Sequence, residues 1–119
     1  MKVVYVAGPY RDKRGSWYVQ QNIARATIVA RELWMMGLAV ICPHANTAMM
    51  DGEGTDDVFL KGDLEILLRC DGVVVLPGWV KSVGASAEAA EARRRGMPVF
   101  QWDPNGTMGE LRKWAASNR

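Results

Sequence analysis

Apolar residues along this chain come in short unbroken blocks, and between the blocks they recur at helical spacing. "KVVYVAG" (2–8), "LAVICP" (38–43), "GVVVLP" (72–77) and "MPVFQW" (97–102) read as strands, because a run with no polar alternation suits a strand covered on both faces. Ile23, Ala26, Ala30, Leu33 and Trp34 trace one face of a helix that Ser16 can cap and Gly37 stops. A second helix starts at Asp56 or Asp57 and runs to about Arg69, with Phe59, Ile66 and Leu67 inward. "ASAEAAEARRR" predicts an Ala-rich third helix ended by Gly96, its arginines at the negative end of the dipole. A short last helix spans about Thr107 to Ser117. Strands alternating with helices predict an α/β fold, a flavodoxin- or Rossmann-like parallel sheet of four to five strands with helices on both faces.

The chain length of 119 residues suits one domain, and no repeat or linker divides it. The net charge of +2 is too small to argue for a nucleic-acid partner. No apolar stretch approaches the ~20 residues of a membrane span, and a strand-like run follows Met1 at once, so no leader and a cytoplasmic location are expected. Cys42 and Cys70 lack CxxC spacing and read as reduced, small hydrophobes. One histidine and no Cys/His cluster predict no metal, and no cofactor is expected. Five Trp and seven Met are many for this length. They fit either a filled core with scattered exposure or a homodimer face.

In an open parallel sheet, ligands bind at the carboxyl ends of the strands, where the strand order switches. Four segments share that rim: 8–16, 43–55, 77–84 and 102–107. "AGPYRDKR" offers Gly8 and Pro9 for close approach, Tyr10 for stacking or hydrogen bonding, and Arg11 and Arg14 for an anion; a solvated basic turn has the same composition. "HANTAMMDGEGTDD" is long for a connection, suggests a lid or binding loop, and opens on His44. Ser82 and the amides around Gly84 open a helix, where anions are favoured, although a plain N-cap looks alike. Glu88 lies six residues past Ser82 with its base near the rim, and Asp63 sits in "KGDLEILLRCD". Each acid taken alone reads as a surface charge or a dipole partner.

"VYVAGPYR", "GDLEILLRCDGVVVL" and "SVGASAEAAEA" together resemble the nucleoside 2-deoxyribosyltransferase superfamily from Lys2 to about Val99, closest in pattern to its 2'-deoxynucleoside 5'-monophosphate N-glycosidases. The resemblance implies that Glu88 is a nucleophile attacking C1' of the sugar, and that Asp63 helps proton transfer or orients the sugar. It places Tyr10 near the sugar and base, and Gly8 and Arg11 beside the phosphate. In the transferases, the residue six before the nucleophile tends to be an aspartate that holds a free 5'-OH; in the nucleotide hydrolases it is a serine, as Ser82 is here. A hydroxyl and helix amides welcome a 5'-phosphate that a carboxylate would repel, and Arg11, Arg14 and Lys81 agree in sign.

The chain departs from the family pattern in three places. Ala90 replaces a frequent Gly, Ser86 stands at a position that is often Gly, and Glu91 adds a second acid expected to raise the pKa of Glu88. The relatives borrow C-terminal residues from a neighbouring subunit, which makes Asn105 and Thr107 candidates and a homodimer or higher homo-oligomer the expected assembly. The implied activity is hydrolysis of the N-glycosidic bond of a (deoxy)nucleoside 5'-monophosphate. The alternatives are base exchange, a phosphoribohydrolase whose PGGxGTxxE motif "PGWVKSVGASAE" echoes without its glycines, and a non-catalytic nucleotide-binding module.

Overall fold

The computed structural model describes residues 1–46, 53, 56–103, 105 and 108–117. Thr107 and most of the long segment after Asn46 lie outside these residues, so the expectations of a lid and of a Thr107 contact fall there too. The elements in order are β1 (Val3–Ala7), α1 (Ser16–Met35), β2 (Ala39–Ile41), a helical turn α2 (Pro43–Asn46), α3 (Asp56–Leu67), β3 (Gly72–Val75), a 3-10 turn (Trp79–Lys81), α4 (Val83–Arg94), β4 (Val99–Gln101) and α5 (Gly109–Ala116). The sheet has four strands, all parallel, in the order β2-β1-β3-β4. The chain leaves β1 toward β2 on one side and returns to β3 on the other, so the switch in order falls at the carboxyl ends of β1 and β3.

Alternate residues of the central strands feed two cores. Val4, Val6, Val74 and Leu76 pack under α1 and α5 through Ala26, Val29, Ala30, Leu33 and Leu111. Tyr5, Ala7, Val73 and Val75 pack under α3 and α4 through Leu67, Ala85, Ala89 and Ala92. The small residues at 85, 89 and 92 form the inward stripe of α4 and let that helix lie close to the sheet. Trp34, expected inward, is half exposed: Leu33 holds the inward position, and the next residue lies about 100° further round the helix.

Glycines mark the helix ends. At Gly37 (φ 87) the N–H bonds Trp34 O and the Leu38 N–H bonds Leu33 O; at Gly96 (φ 74) and Met97 the same pair of bonds reaches Arg93 O and Ala92 O. Both are left-handed caps that side chains with a Cβ resist. The start of α1 departs from expectation. Gly15, at φ 127, takes the capping position, and Ser16 is the first helical residue with no side-chain cap.

α5 is clamped to the first strand. The Lys2 ammonium, 6 % exposed, donates to Ser117 O and to Ser117 Oγ at 2.6 Å, and lies 5.3 Å from the Trp114 ring centroid. Trp114 in turn covers Gly72, where an added Cβ would stand 2.8 Å from the ring. Lys2→Met keeps the apolar stem and removes both donors, so urea denaturation should show a loss of about 1–3 kcal/mol. An unchanged midpoint would show that the clamp contributes nothing.

Candidate active site

The site grows from an acid in an apolar stripe. Glu88 follows Ala85 by three residues and precedes Ala92 by four, so the helix that buries those alanines turns Glu88 inward with them. It meets the sheet at Tyr5, a fully buried residue whose hydroxyl donates to Glu88 Oε2. Tyr5 was not among the residues that sequence reasoning singled out. A signal was present in "VVYVA", because a phenol inside an otherwise aliphatic buried strand must bring its hydroxyl to a partner.

The electrostatics follow from this burial. Glu88 is pushed up to about 7, chiefly by desolvation. The Tyr5 bond pulls the other way, and the charge of Asp63 on α3 adds to the rise. Asp63, half-buried, is itself raised by desolvation. Tyr5 is held far above the ordinary phenol range by burial, then by the Glu88 charge and its hydrogen bond, and so keeps its proton. The charge of Asp63 thus reaches both Glu88 and Tyr5, with the phenol as the fixed donor to Glu88.

Glu91 does not play its expected part. Arg94 donates to it at 2.5 and 3.0 Å and Arg95 at 2.9 Å, which holds its carboxyl down to about 2 at the solvent face. The like charge that acts on Glu88 comes from Asp63, across two helices. Ser86 has a role not foreseen: its hydroxyl lies 3.0 Å from Trp79 O and 2.9 Å from Val80 O, tying α4 to the 3-10 turn before it. Ala90 faces solvent.

Ser82 is the N-cap of α4, its Oγ accepting from the Ala85 N–H at 3.2 Å. The capping hydroxyl keeps its own proton to donate, and the first helical N–H groups, at Val83 and Gly84, have no acceptor within the helix. Lys81 is exposed directly before the cap. Across the switch point, Gly8 is required because Leu76 leaves no space: an added Cβ would meet Leu76 side-chain atoms at 2.8 Å. Packing of protein on protein therefore accounts for this glycine. Tyr10 is half-buried, with Arg11 over its ring at 5.8 Å and the His44 ring on it at 5.7 Å. Arg14, expected to hold an anion, is taken by Asp12 at 2.8 Å and stacks on Tyr18 at 3.7 Å. His44 is buried, and its Nε2 lies 2.8 Å from Pro9 O. Asn105 is exposed in the turn after the edge strand β4, its N–H on Asp103 Oδ1, and no described contact brings it to Glu88.

A cleft of about 230 Å3 opens on the α1 face of the same rim, between Pro9, Asn22, Arg25, Val29, Leu76 and Pro77. Among the described residues no group of three or more His, Cys, Asp or Glu is placed to hold a metal, and no helix is long and apolar enough to cross a membrane.

Comparison with known proteins adds the family and the fold. No curated protein matches the chain. A 2-deoxyribosyltransferase from Bacillus psychrosaccharolyticus superimposes with a TM-score of 0.60 at 22 % identity, covering 88 % of this chain and 74 % of that one. A conserved protein from Enterococcus faecalis V583 superimposes with a TM-score of 0.63, also at 22 % identity, covering 98 % of this chain and 74 % of the other. At the level of fold, the resemblance to deoxyribosyltransferases read from the motifs is borne out. Residues 2–101 match a family profile, and the chain belongs to the family described as "Domain of unknown function (DUF4406)".

Proposed function

We propose that this protein is an N-glycosidase acting on (deoxy)nucleoside 5'-monophosphates, with Glu88 as nucleophile. The observation that carries the reading is the largely buried Glu88 carboxyl on α4, held by the Tyr5 hydroxyl and within reach of the Asp63 charge. A glycosidic bond breaks through an oxocarbenium-like transition state, which a carboxylate in a poorly solvated site stabilises and then captures. One Glu88 oxygen bonds to C1' as the C1'–N bond breaks, and the electron pair leaves with the base. The base takes its proton from solvent, while ionised Asp63, in electrostatic reach of Glu88, orients the sugar. Water then attacks C1', gives a proton to Asp63, which returns it to solvent, and frees Glu88 and the sugar phosphate.

Ser82 and the start of α4 receive the 5'-phosphate in this reading, with Lys81 and Arg11 adding positive charge. Six residues of helix separate Ser82 from Glu88, about 9 Å along the axis. Incubation with a panel of ribo- and deoxyribonucleoside monophosphates should release free base without an added acceptor. Ser82→Asp should lower kcat/KM for nucleotides at least tenfold more than for the matching nucleosides, since a second anion repels the phosphate. Equal losses for both substrates would contradict the phosphate assignment.

Base exchange is the second reading, favoured by the likeness in fold to a 2-deoxyribosyltransferase. It predicts release that depends on an acceptor base, with free nucleosides outperforming nucleotides. Either reaction suits a homodimer, and the exposed Val58, Leu60, Val80 and Val83 on α3, the 3-10 turn and α4 offer it apolar surface.

A further inference from the structure

We propose that His44 is a positioning residue: as a neutral imidazole with its proton on Nε2, it fixes the Gly8–Arg11 segment in the shape that receives the substrate. The inference rests on the nucleotide reading for the identity of the substrate, and on geometry alone for the role of the ring.

Pro43 lies two residues past the end of β2 and starts the turn α2, which sets His44 under the segment leaving β1. The side chain is 4 % exposed. Its Nε2 lies 2.8 Å from Pro9 O. A carbonyl oxygen only accepts, so Nε2 carries the proton and donates. In a neutral ring Nδ1 is then a bare acceptor, and it is buried with no hydrogen-bond partner among the described residues. A proton there would make a buried cation with no acceptor beside it, which is costly. Desolvation accordingly moves the histidine below its ordinary value, against the backbone carbonyls of Pro9 and Gly8. The Tyr10 ring lies against it at 5.7 Å, and Cys42, two residues before it, is held as a thiol by burial and brings no charge to offset this.

The bond matters because Pro9 leads directly into Tyr10 and Arg11. Proline has no N–H, so its carbonyl is the one backbone handle it offers. Three successive residues are fastened: Gly8 by close packing on Leu76, Pro9 by His44, and Tyr10 by Asn22, whose Nδ2 donates to Tyr10 O at 3.1 Å. His44 is also the surface on which the Tyr10 ring rests, and Arg11 lies over the same ring. Loss of the imidazole therefore frees a carbonyl and removes the support of the two side chains assigned to the substrate.

The test uses the full chain and three readouts. Nitrogen NMR of the wild type should show the Nε2–H tautomer at neutral pH. In His44→Leu, amide hydrogen exchange at Tyr10 and Arg11 should quicken about tenfold while β1 and β3 amides keep their rates, and KM for the best monophosphate should rise about tenfold with kcat changed less than threefold. His44→Gln places an amide donor near Nε2 and should recover most of both losses. A wild-type ring protonated on Nδ1, unchanged exchange at residues 10 and 11 in folded His44→Leu, or His44→Gln behaving as His44→Leu would each overturn the proposal. If His44→Leu does not fold, the tautomer and His44→Gln decide. If the wild type releases no base from any nucleotide, the glycosidase reading falls, and the NMR and exchange results still decide the role of His44.

Discussion

Glu88→Gln is expected to give an inactive protein that is more stable than the wild type above neutral pH. The loss follows from the chemistry: an amide cannot capture C1', so base release should fall by on the order of 10^4 or more. The gain follows from burial. The Glu88 carboxyl titrates near 7 in the fold, against 4.5 when solvated. Below 4.5 both the folded and unfolded chains hold the proton, and burial of the acid carries no electrostatic penalty. Between 4.5 and 7 the unfolded chain gives up the proton more readily, so stability declines as pH rises. Above 7 the full penalty is present, about 3 kcal/mol for a difference of this size. Glutamine removes the charge and the pH dependence together. Thermal unfolding at pH 8 should therefore favour Glu88→Gln, and at pH 4.5 the two proteins should unfold alike. A mutant less stable at pH 8 would show that the carboxylate is part of the scaffold and not a strained reagent.

Tyr5→Phe is expected to lower kcat about 10- to 100-fold and to move the acid limb of the pH–rate profile upward. Activity in this account needs the ionised form of Glu88, so kcat/KM rises with pH through a midpoint near 7 in the wild type. The Tyr5 hydroxyl favours that ionised form, because its hydrogen bond lowers the carboxyl pKa against desolvation and Asp63. Phenylalanine fills the same space in the core and deletes the one donor. The buried carboxyl then holds its proton to higher pH, and the midpoint should shift above 7. A profile that keeps its midpoint while kcat falls would place Tyr5 in packing alone. The contrast with Asp63 is informative: removing that acid takes away a like charge, so the midpoint should move the opposite way.

The two acids show what the amino-acid pattern can and cannot carry. The four strands were legible because a sheet covered on both faces demands unbroken apolar runs, and Gly37 and Gly96 were legible as stops because only glycine enters the left-handed caps easily. Glu88 was legible as a candidate through the family motif; taken alone it read as a surface charge, and only the burial of the alanine stripe beside it shows its inward direction. The origin of its raised pKa was not. Glu91 is three residues away along the helix, yet two arginines one turn further on neutralise it; Asp63 is 25 positions away in sequence and acts through the packing of α3 beside α4. Tyr5 was hidden for the opposite reason: a strand residue in a buried run looks like core until the partner of its hydroxyl is known. Local spacing likewise put Trp34 inside with Leu33, although the helix has room for one of them on that line. Arg14 read as an anion ligand because Asp12, two residues before it, carries no mark of being its partner.

On the proposed mechanism the Glu88 carboxylate bonds to C1' of the sugar. The direct measurement is the mass of the peptide bearing residue 88 after a rapid acid quench of the protein mixed with its best nucleoside monophosphate. A sugar-phosphate adduct on Glu88 is expected, together with free base in solution, and neither in Glu88→Ala. Base released by folded Glu88→Ala at the wild-type rate, with no adduct in either protein, would contradict it.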